Sequence, residues 1–426
     1  MSSTRITDYA TYISSRSAAR KPSAVRALQP LLAIPGMISL GGGYPDTATF
    51  PFESVTMKLK TGETLEIGKE DMAKVLQYNA TAGLPQLVSW LRDLQIHLHH
   101  PPLPASEWDI CVTTGSQDGL AKAFEMLLEP GQPILVETPA YSGILAILRP
   151  AGVKIVEVPS DSDGLDPTQL RRILSSWPSD AGPRPRVLYT VPEGGNPTGN
   201  STMWERKQEV YEVCAEYGVI ILEDDPYYLL QFSDKPQPSY FSIDVDGRVL
   251  RFDSFSKVLS SGIRVGWCTG PKQLVERIVL HGQASNLHPS NLSQELVSSY
   301  LHHLGHVAYL EHARGVRDHY AHKRDLFLKA AEKHLGGPQP AAEWVNPKAG
   351  MFVWLKLVGV ADSGKLVREK AVERKVLLLP GEEFIPSGRP TPFVRAAFST
   401  ATEEQMDEAL RRLGELVRGE WQASAK

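Results

Sequence analysis

The sequence predicts an α/β fold in two domains. Three observations carry that expectation. Short runs of β-branched and aliphatic residues bounded by Gly, Pro and Asp recur from about residue 70 onward, as strands buried on both faces do. Helix-patterned stretches alternate with them, the arrangement of βαβ units. The chain is 426 residues long, which at roughly 150 residues per domain leaves room for one large and one smaller core.

A polar arm occupies residues 1–45 and ends where the apolar stretch 37–40 runs into Gly41-Gly42-Gly43-Tyr44-Pro45, which can continue neither helix nor strand. A large domain is expected over 46–305, with strands at 110–114, 134–137, 187–191, 219–222 and 249–252. Residues 205–217 carry Val210, Tyr211, Val213 and Cys214 on a helical stripe that leads through Gly218 into the next strand, one βαβ step. A charge-rich helix over 303–334 ends at Gly336-Gly337-Pro338 and is expected to bridge the domains. The smaller domain, 306–426, holds strands at 351–357 and 392–398 and an amphipathic terminal helix at 403–418.

Hydrophobic residues make up 42% and charged residues 22%, the balance of an ordinary folded protein. A net charge of −4 gives no overall attraction to nucleic acid or anionic lipid, so a small-molecule partner is expected. Cys111, Cys214 and Cys268 are odd in number, far apart and without a C-x-x-C pairing. That argues against a disulfide framework or zinc ribbon and for a reducing compartment. No apolar run approaches the roughly 18 residues that span a bilayer, and the N-terminus lacks a secretory apolar core, so cytoplasm or mitochondrial matrix is expected. The arm, with Arg5, Arg16, Arg20, Lys21 and Arg26 against the single acid Asp8, also reads as a mitochondrial presequence.

Open α/β sheets bind ligands beyond the carboxyl ends of their strands, and polar residues cluster there. Gly115-Ser116-Gln117 opens a helix whose N–H groups and dipole suit a phosphate, while Ser116 also reads as a plain N-cap. Glu223-Asp224-Asp225-Pro226-Tyr227-Tyr228 brings carboxylates and phenols to the edge, fit for a cation, a metal or a protonated ring nitrogen, with a helix cap or solvated loop as the structural alternative. Asn196-Pro197-Thr198-Gly199 is a turn sequence in any protein. Ser254-Phe255-Ser256-Lys257, with Arg264 seven residues after the lysine, places two hydroxyls, an ammonium and a guanidinium at one strand end, an anion-binding constellation. A lysine among other cations and partly desolvated has the lowered pKa that a Schiff-base nucleophile needs.

Together these motifs resemble the fold-type I pyridoxal-phosphate (PLP) aminotransferases. N-P-T-G at 196–199, D-D-P-Y at 224–227 and S-F-S-K at 254–257 with Arg264 stand in that family's order. I-S-L-G-G-G at 38–43, L-Q-Y-N-A-T-A-G-L-P at 76–85 and P-A-Y-S-G at 139–143 are similar to the kynurenine/2-aminoadipate and fungal aromatic subgroup. The resemblance implies a large PLP-binding domain with a mostly parallel seven-stranded sheet flanked by helices, plus a smaller α+β domain formed by both chain ends.

It further implies that Lys257 holds PLP as a Schiff base and moves the proton at the substrate Cα, and that Asp224 pairs with the pyridine nitrogen. Asn196 and Tyr227 are expected on the phenolic oxygen and Tyr141 against the ring face. Ser116, Gln117, Ser254, Ser256 and Arg264 would hold the phosphate, with Pro226 beside the cofactor. Tyr78 would reach the phosphate of a neighbouring subunit, in a homodimer with shared active sites. Arg395 matches the arginine that binds the substrate α-carboxylate bidentately. Arg26, Gly43, Tyr44, Leu287 and Phe352 are expected on the substrate side, together with Tyr78, Tyr141 and Asn196. The implied reaction is transamination of kynurenine, 2-aminoadipate and aromatic or aliphatic amino acids, with 2-oxoglutarate as amino acceptor.

Glu193-Gly194-Gly195 stands where the subgroup often carries asparagine, and Tyr44 where an aliphatic residue is expected, so both are read as able to shift substrate preference. Two other readings share these residues: a PLP-dependent β-lyase, and a non-catalytic aminotransferase-like regulator, for whose DNA-binding module the residues before Met37 are too few. His302 and His306 form an i, i+4 pair without a third ligand at a helpful spacing, so no metal is expected. Asp244-Val245-Asp246-Gly247 reads as a hairpin turn between strands.

Overall fold

The apolar runs become strands and the stripes between them helices in the computed structural model, which describes residues 5–24, 28, 31 and 34–424. Arg26 lies outside the described residues. In chain order the strands are β1 (Val55–Lys58), β2 (Thr64–Ile67), β3 (Trp108–Thr113), β4 (Pro133–Thr138), β5 (Lys154–Asp161), β6 (Gly164–Leu165) and β7 (Val187–Thr190). They continue with β8 (Ile220–Asp224), β9 (Val249–Ser254), β10 (Gly266–Pro271), β11 (Ala342–Trp344), β12 (Phe352–Leu357), β13 (Leu379–Pro380) and β14 (Phe393–Ala397). The chain divides into two compact units, Met1–Glu129 with Tyr240–Glu311, and Pro130–Ser239 with His312–Lys426.

In the first unit, β10 pairs antiparallel with β3 and with β9. Gly266 opens β10 where a Cβ would lie 2.7 Å from both the Ser116 nitrogen and the Asp253 carbonyl, so only glycine lets these segments close together. Cys111 and Cys268 face each other in this pairing as buried free thiols. The helix Pro85–His99 starts on a proline, whose missing N–H is one that a helix start leaves unbonded, and it buries Leu87, Leu91 and Leu94. In the arm, Ser14 caps the short helix Ser15–Ala19 and Tyr9 donates to the Gly247 carbonyl at 2.5 Å. β1 and β2 form an antiparallel hairpin.

In the second unit, β8, β7, β4 and β5 lie side by side in parallel. Their aliphatic residues, among them Ile134, Leu188 and Ile221, have no exposed surface, as strands covered on both faces require. The helix Trp204–Tyr217 ends on Gly218 at φ 66, a left-handed closing residue that suits glycine. A separate antiparallel sheet runs β11-β12-β14-β13, and the helix Glu403–Ser424 adds Leu410, Leu413 and Val417 to a core with Val353, Leu355 and Val394.

Among the described residues the α/β pattern is complete, with three strands of the expected main sheet in the first unit and four in the second. The two-residue β6 pairs antiparallel with β5 in the second unit and is too short to show as a pattern in the sequence. The segment Asn291–Leu335 is helical on both sides of a non-helical break at Gly305 (φ 67), which lies close to the expected start of the helix over 303–334. Residues 244–247 do not join two strands. They follow the 3-10 turn Tyr240–Ile243, and Asp244 accepts from the N–H groups of Arg248 and Val249 to launch β9. No helix among the described residues is long and apolar enough to cross a membrane.

Candidate active site

Two groups of polar side chains form at strand ends, one in each unit. In the first unit β9 ends at Ser254, and the chain turns through the 3-10 segment Phe255–Lys257. Ser254 Oγ accepts from the Ser256 N–H at 3.1 Å and lies 2.9 Å from Ser256 Oγ. Arg264 donates to Ser256 Oγ and to the Ser261 carbonyl, both at 3.2 Å, and to the Thr114 carbonyl at 3.3 Å. Its backbone sits at φ 58, a conformation that costs a non-glycine residue about 1 kcal/mol or more and is held here by these bonds.

Gly115, at φ 77, is the N-cap of the helix Ser116–Leu127, so Ser116 is the first helical residue and not the cap. A Cβ on Gly115 would lie 2.2 Å from Arg264 Nη2. Glycine therefore opens the space in which the guanidinium, the serine hydroxyls and the first N–H groups of this helix gather. Ser116, Gln117 and Lys257 are half-buried, and Arg264 is exposed.

The same unit holds an aromatic group. Tyr44 and Tyr78 meet edge to face with centroids 6.3 Å apart, and His288 approaches Tyr78 at 6.2 Å. Leu287 is 39% exposed at φ 63, and Gly43 is exposed. Of the histidines, His306 stacks on Trp90 at 4.3 Å and His302 bonds the Ser298 carbonyl.

In the second unit, Asp224 closes β8 and is 4% exposed. Tyr189, on the neighbouring β7, donates to Asp224 Oδ2 at 2.7 Å. Tyr227 follows after Pro226 and is buried. Burial first, then the Asp224 charge, lifts its phenol well above the ordinary range, so it stays protonated. Tyr141 precedes the helix Ser142–Leu148, and Gly143 leaves room for its ring, since a Cβ there would lie 2.3 Å from it.

Asn196 is 9% exposed and accepts from Arg395 Nη1 at 2.9 Å. The Arg395 guanidinium also lies over two rings, 4.3 Å from the centroid of Phe352 and 5.1 Å from that of Phe384. Burial lowers its pKa, opposed by Tyr227 and Tyr141. Arg395 Nε is buried with no hydrogen-bond partner among the described residues. Phe352 in turn meets Tyr227 edge to face at 6.1 Å.

The loop carrying Asn196 is pinned from behind. Gly194 (φ 54) crosses the backbone at Gly350 so closely that a Cβ would lie 2.7 Å from the Gly350 nitrogen. Glu193, read from the sequence as a residue able to shift substrate preference, has no exposed surface. Its carboxylate pairs with the equally buried Lys207, which also donates to the Pro238 carbonyl at 2.6 Å.

Of the expected residues, the first unit thus gathers Ser116, Ser254, Ser256 and Arg264, and the second Asp224, Tyr227, Asn196, Phe352 and Arg395. Tyr189 and Phe384 were not singled out in the sequence. A phenol directly after the aliphatic Val187 and Leu188 of β7 is the one local signal for the former, and Phe384 offers none.

Residues 35–413 match the family model described as aminotransferase class I and II. The mitochondrial kynurenine/alpha-aminoadipate aminotransferase of Bos taurus is 47% identical over 424 residues, 96% of this chain and 99% of that protein. The aminotransferase tdiD of Emericella nidulans is 40% identical over 97% of this chain and 96% of its own length. Among solved structures, aminotransferase Aro8 from Candida albicans matches with a TM-score of 0.90 at 31% identity, covering 98% of this chain and 99% of that one. The kynurenine aminotransferase of Pyrococcus horikoshii, in complex with PMP and with KYN and KYA as substrates and products, matches with a TM-score of 0.75 at 28% identity, covering 97% and 98%.

Proposed function

The chain belongs to the class I and II aminotransferases, and on that premise we propose that it moves the amino group of kynurenine, 2-aminoadipate or an aromatic or aliphatic amino acid to 2-oxoglutarate, using PLP. The observation that carries the reading is Arg395. Its guanidinium is held by Asn196 and two aromatic rings, while its buried Nε–H has no protein partner among the described residues. An unbonded buried donor is costly, and a substrate carboxylate is the acceptor that removes the cost. Amino acids and 2-oxo acids share that carboxylate, so one arginine serves both halves of the reaction.

The donor sets fit the cofactor. A phosphate dianion suits the serine hydroxyls, Arg264 and the N-terminus of the 12-residue helix Ser116–Leu127, in a space that a Cβ on Gly115 would fill. When bound, PLP supplies an aldehyde that takes the amino group and a ring that accepts the electrons of the Cα–H bond. Lys257 Nζ is assigned as its covalent anchor and, once released, as the base that takes the Cα proton. Asp224 is assigned to hold a protonated ring nitrogen, Asn196 and the neutral phenol of Tyr227 to bind the phenolic oxygen, and Tyr141 to cover the ring. Ser116, Gln117, Ser254, Ser256 and Arg264 are assigned to the phosphate, with Pro226 beside the ring.

Gly43, Tyr44, Leu287 and Phe352 are assigned to the substrate side chain. Tyr78, 47% exposed, is assigned to the phosphate of a second subunit in a homodimer; the exposed Ile38, Leu40 and Phe52 of the same unit supply apolar surface for that contact. A large cofactor-binding domain over 46–305, a small domain over 306–426 and an address in the mitochondrial matrix or cytoplasm complete the proposal.

The test is a visible absorption spectrum of the purified protein with PLP. Kynurenine or 2-aminoadipate should bleach the Lys257-bound band and 2-oxoglutarate restore it, and Lys257→Ala should lack it. Pyruvate and ammonia released from a single substrate would place the protein among the β-lyases instead.

A further inference from the structure

Asp224 is nearly free of solvent, so desolvation alone would push its carboxyl toward the neutral form and leave a ring nitrogen with no anion to face. β7 and β8 run parallel with Tyr189 in register with Leu222, and from there the Tyr189 hydroxyl reaches two residues on to Asp224 Oδ2 at 2.7 Å. The phenol is 1% exposed. Resting on the PLP reading above, we propose that Tyr189 is a positioning residue, which orients the Asp224 carboxylate and keeps it ionised so that it can hold a protonated ring nitrogen.

Three features favour that role over simple packing. A hydrogen bond donated to the charged form of a carboxylate favours that form. The titratable groups that face Tyr189 are Asp224 on β8, Glu137 on β4 and Tyr141 beyond the end of β4. Burial first, then Asp224, holds the Tyr189 phenol well above its ordinary range, so it remains a donor at any working pH. The bond also ties Oδ2 to a fixed point on β7, and so restrains the turn of the carboxylate plane.

The experiment compares PLP with its deaza analogue, in which C–H replaces the ring nitrogen, each bound to the PLP-free protein and followed by the visible band and by titration. Tyr189→Phe keeps the ring and removes the hydroxyl. Losing one hydrogen bond to a charged group should weaken PLP binding by about tenfold and leave the deaza analogue within about twofold. In an Asp224→Asn background the same substitution should have no effect on PLP binding. Equal weakening for both ligands, or none for PLP, would overturn the proposal. If Tyr189→Phe melts early, 3-fluorotyrosine at 189, a stronger donor of nearly the same shape, should raise the preference for PLP over the deaza analogue; an unchanged preference would refute the proposal. A wild-type protein that takes up neither ligand would instead defeat the PLP reading itself.

Discussion

Arg395 Nη1 donates to Asn196 Oδ1 across 2.9 Å, joining the strand β14 to the loop that follows β7. The bond orients the guanidinium plane, and the rings of Phe352 and Phe384 limit its tilt. A lysine cannot reproduce a planar fork held on two sides. Arg395→Lys should therefore raise KM for both the amino donor and 2-oxoglutarate, on the order of 100-fold, and leave the cofactor band intact. Steady-state kinetics with each substrate varied in turn checks this, and a rise confined to one substrate would contradict a shared carboxylate site.

Gly115→Ala should weaken PLP binding by about tenfold or more while the protein still folds. The new methyl would meet Arg264 Nη2 at 2.2 Å, on a backbone at φ 77 that side chains disfavour. Titration of the PLP-free variant, with circular dichroism as the control for folding, measures it.

The Glu193–Lys207 pair has no exposed surface on either partner. Lys207→Met strands a buried carboxylate and should cost about 3–5 kcal/mol of stability in urea unfolding. The double variant Glu193→Gln/Lys207→Met removes both charges and should recover most of that loss. If the two variants prove equally unstable, packing by the lysine stem and not the charge pair holds this loop.

Glu137 lies near the end of β4, where Thr190 Oγ1 and the Val191 N–H donate to it, and burial raises its pKa to about 7 despite those two bonds. The folded state then binds a proton more tightly than the unfolded chain. Its contribution is fully present below the unfolded value near 4.5 and is lost as pH rises through 7. The fall between pH 4 and 8 should be on the order of 3 kcal/mol, and Glu137→Gln should abolish it and be the more stable protein at pH 8. Urea unfolding at a series of pH values decides between these outcomes.

How much could be read in advance follows the range of each interaction. Ser254, Ser256 and Arg264 lie on one short segment, so their meeting at a strand end was legible from order alone. β3, β4, β7, β8, β9, β12 and β14 were legible for the same reason, as local apolar runs, while β5 and β10 carry charged, Pro or Gly residues that mask the pattern and the two-residue β6 was too brief to leave one. Tyr189 was missed because its role depends on the register of β7 against β8, and Phe384 because only the fold brings it under a residue on β14. The buried setting of Glu193 was hidden for a related reason. A motif names a residue, but the direction of its side chain is set by what the backbone crosses, here Gly350.

The crossing of Gly194 and Gly350 limits where this enzyme can change its diet. With no room for a side chain on either strand of the crossing, the loop bearing Asn196 and the segment leading into Phe352 cannot drift apart or accept an insertion singly. On the substrate-side assignments proposed above, adaptation to a new amino acid falls to Tyr44 and Leu287, whose side chains retain exposed surface. A library of variants selected on unfamiliar substrates should accumulate its changes there and leave both glycines untouched.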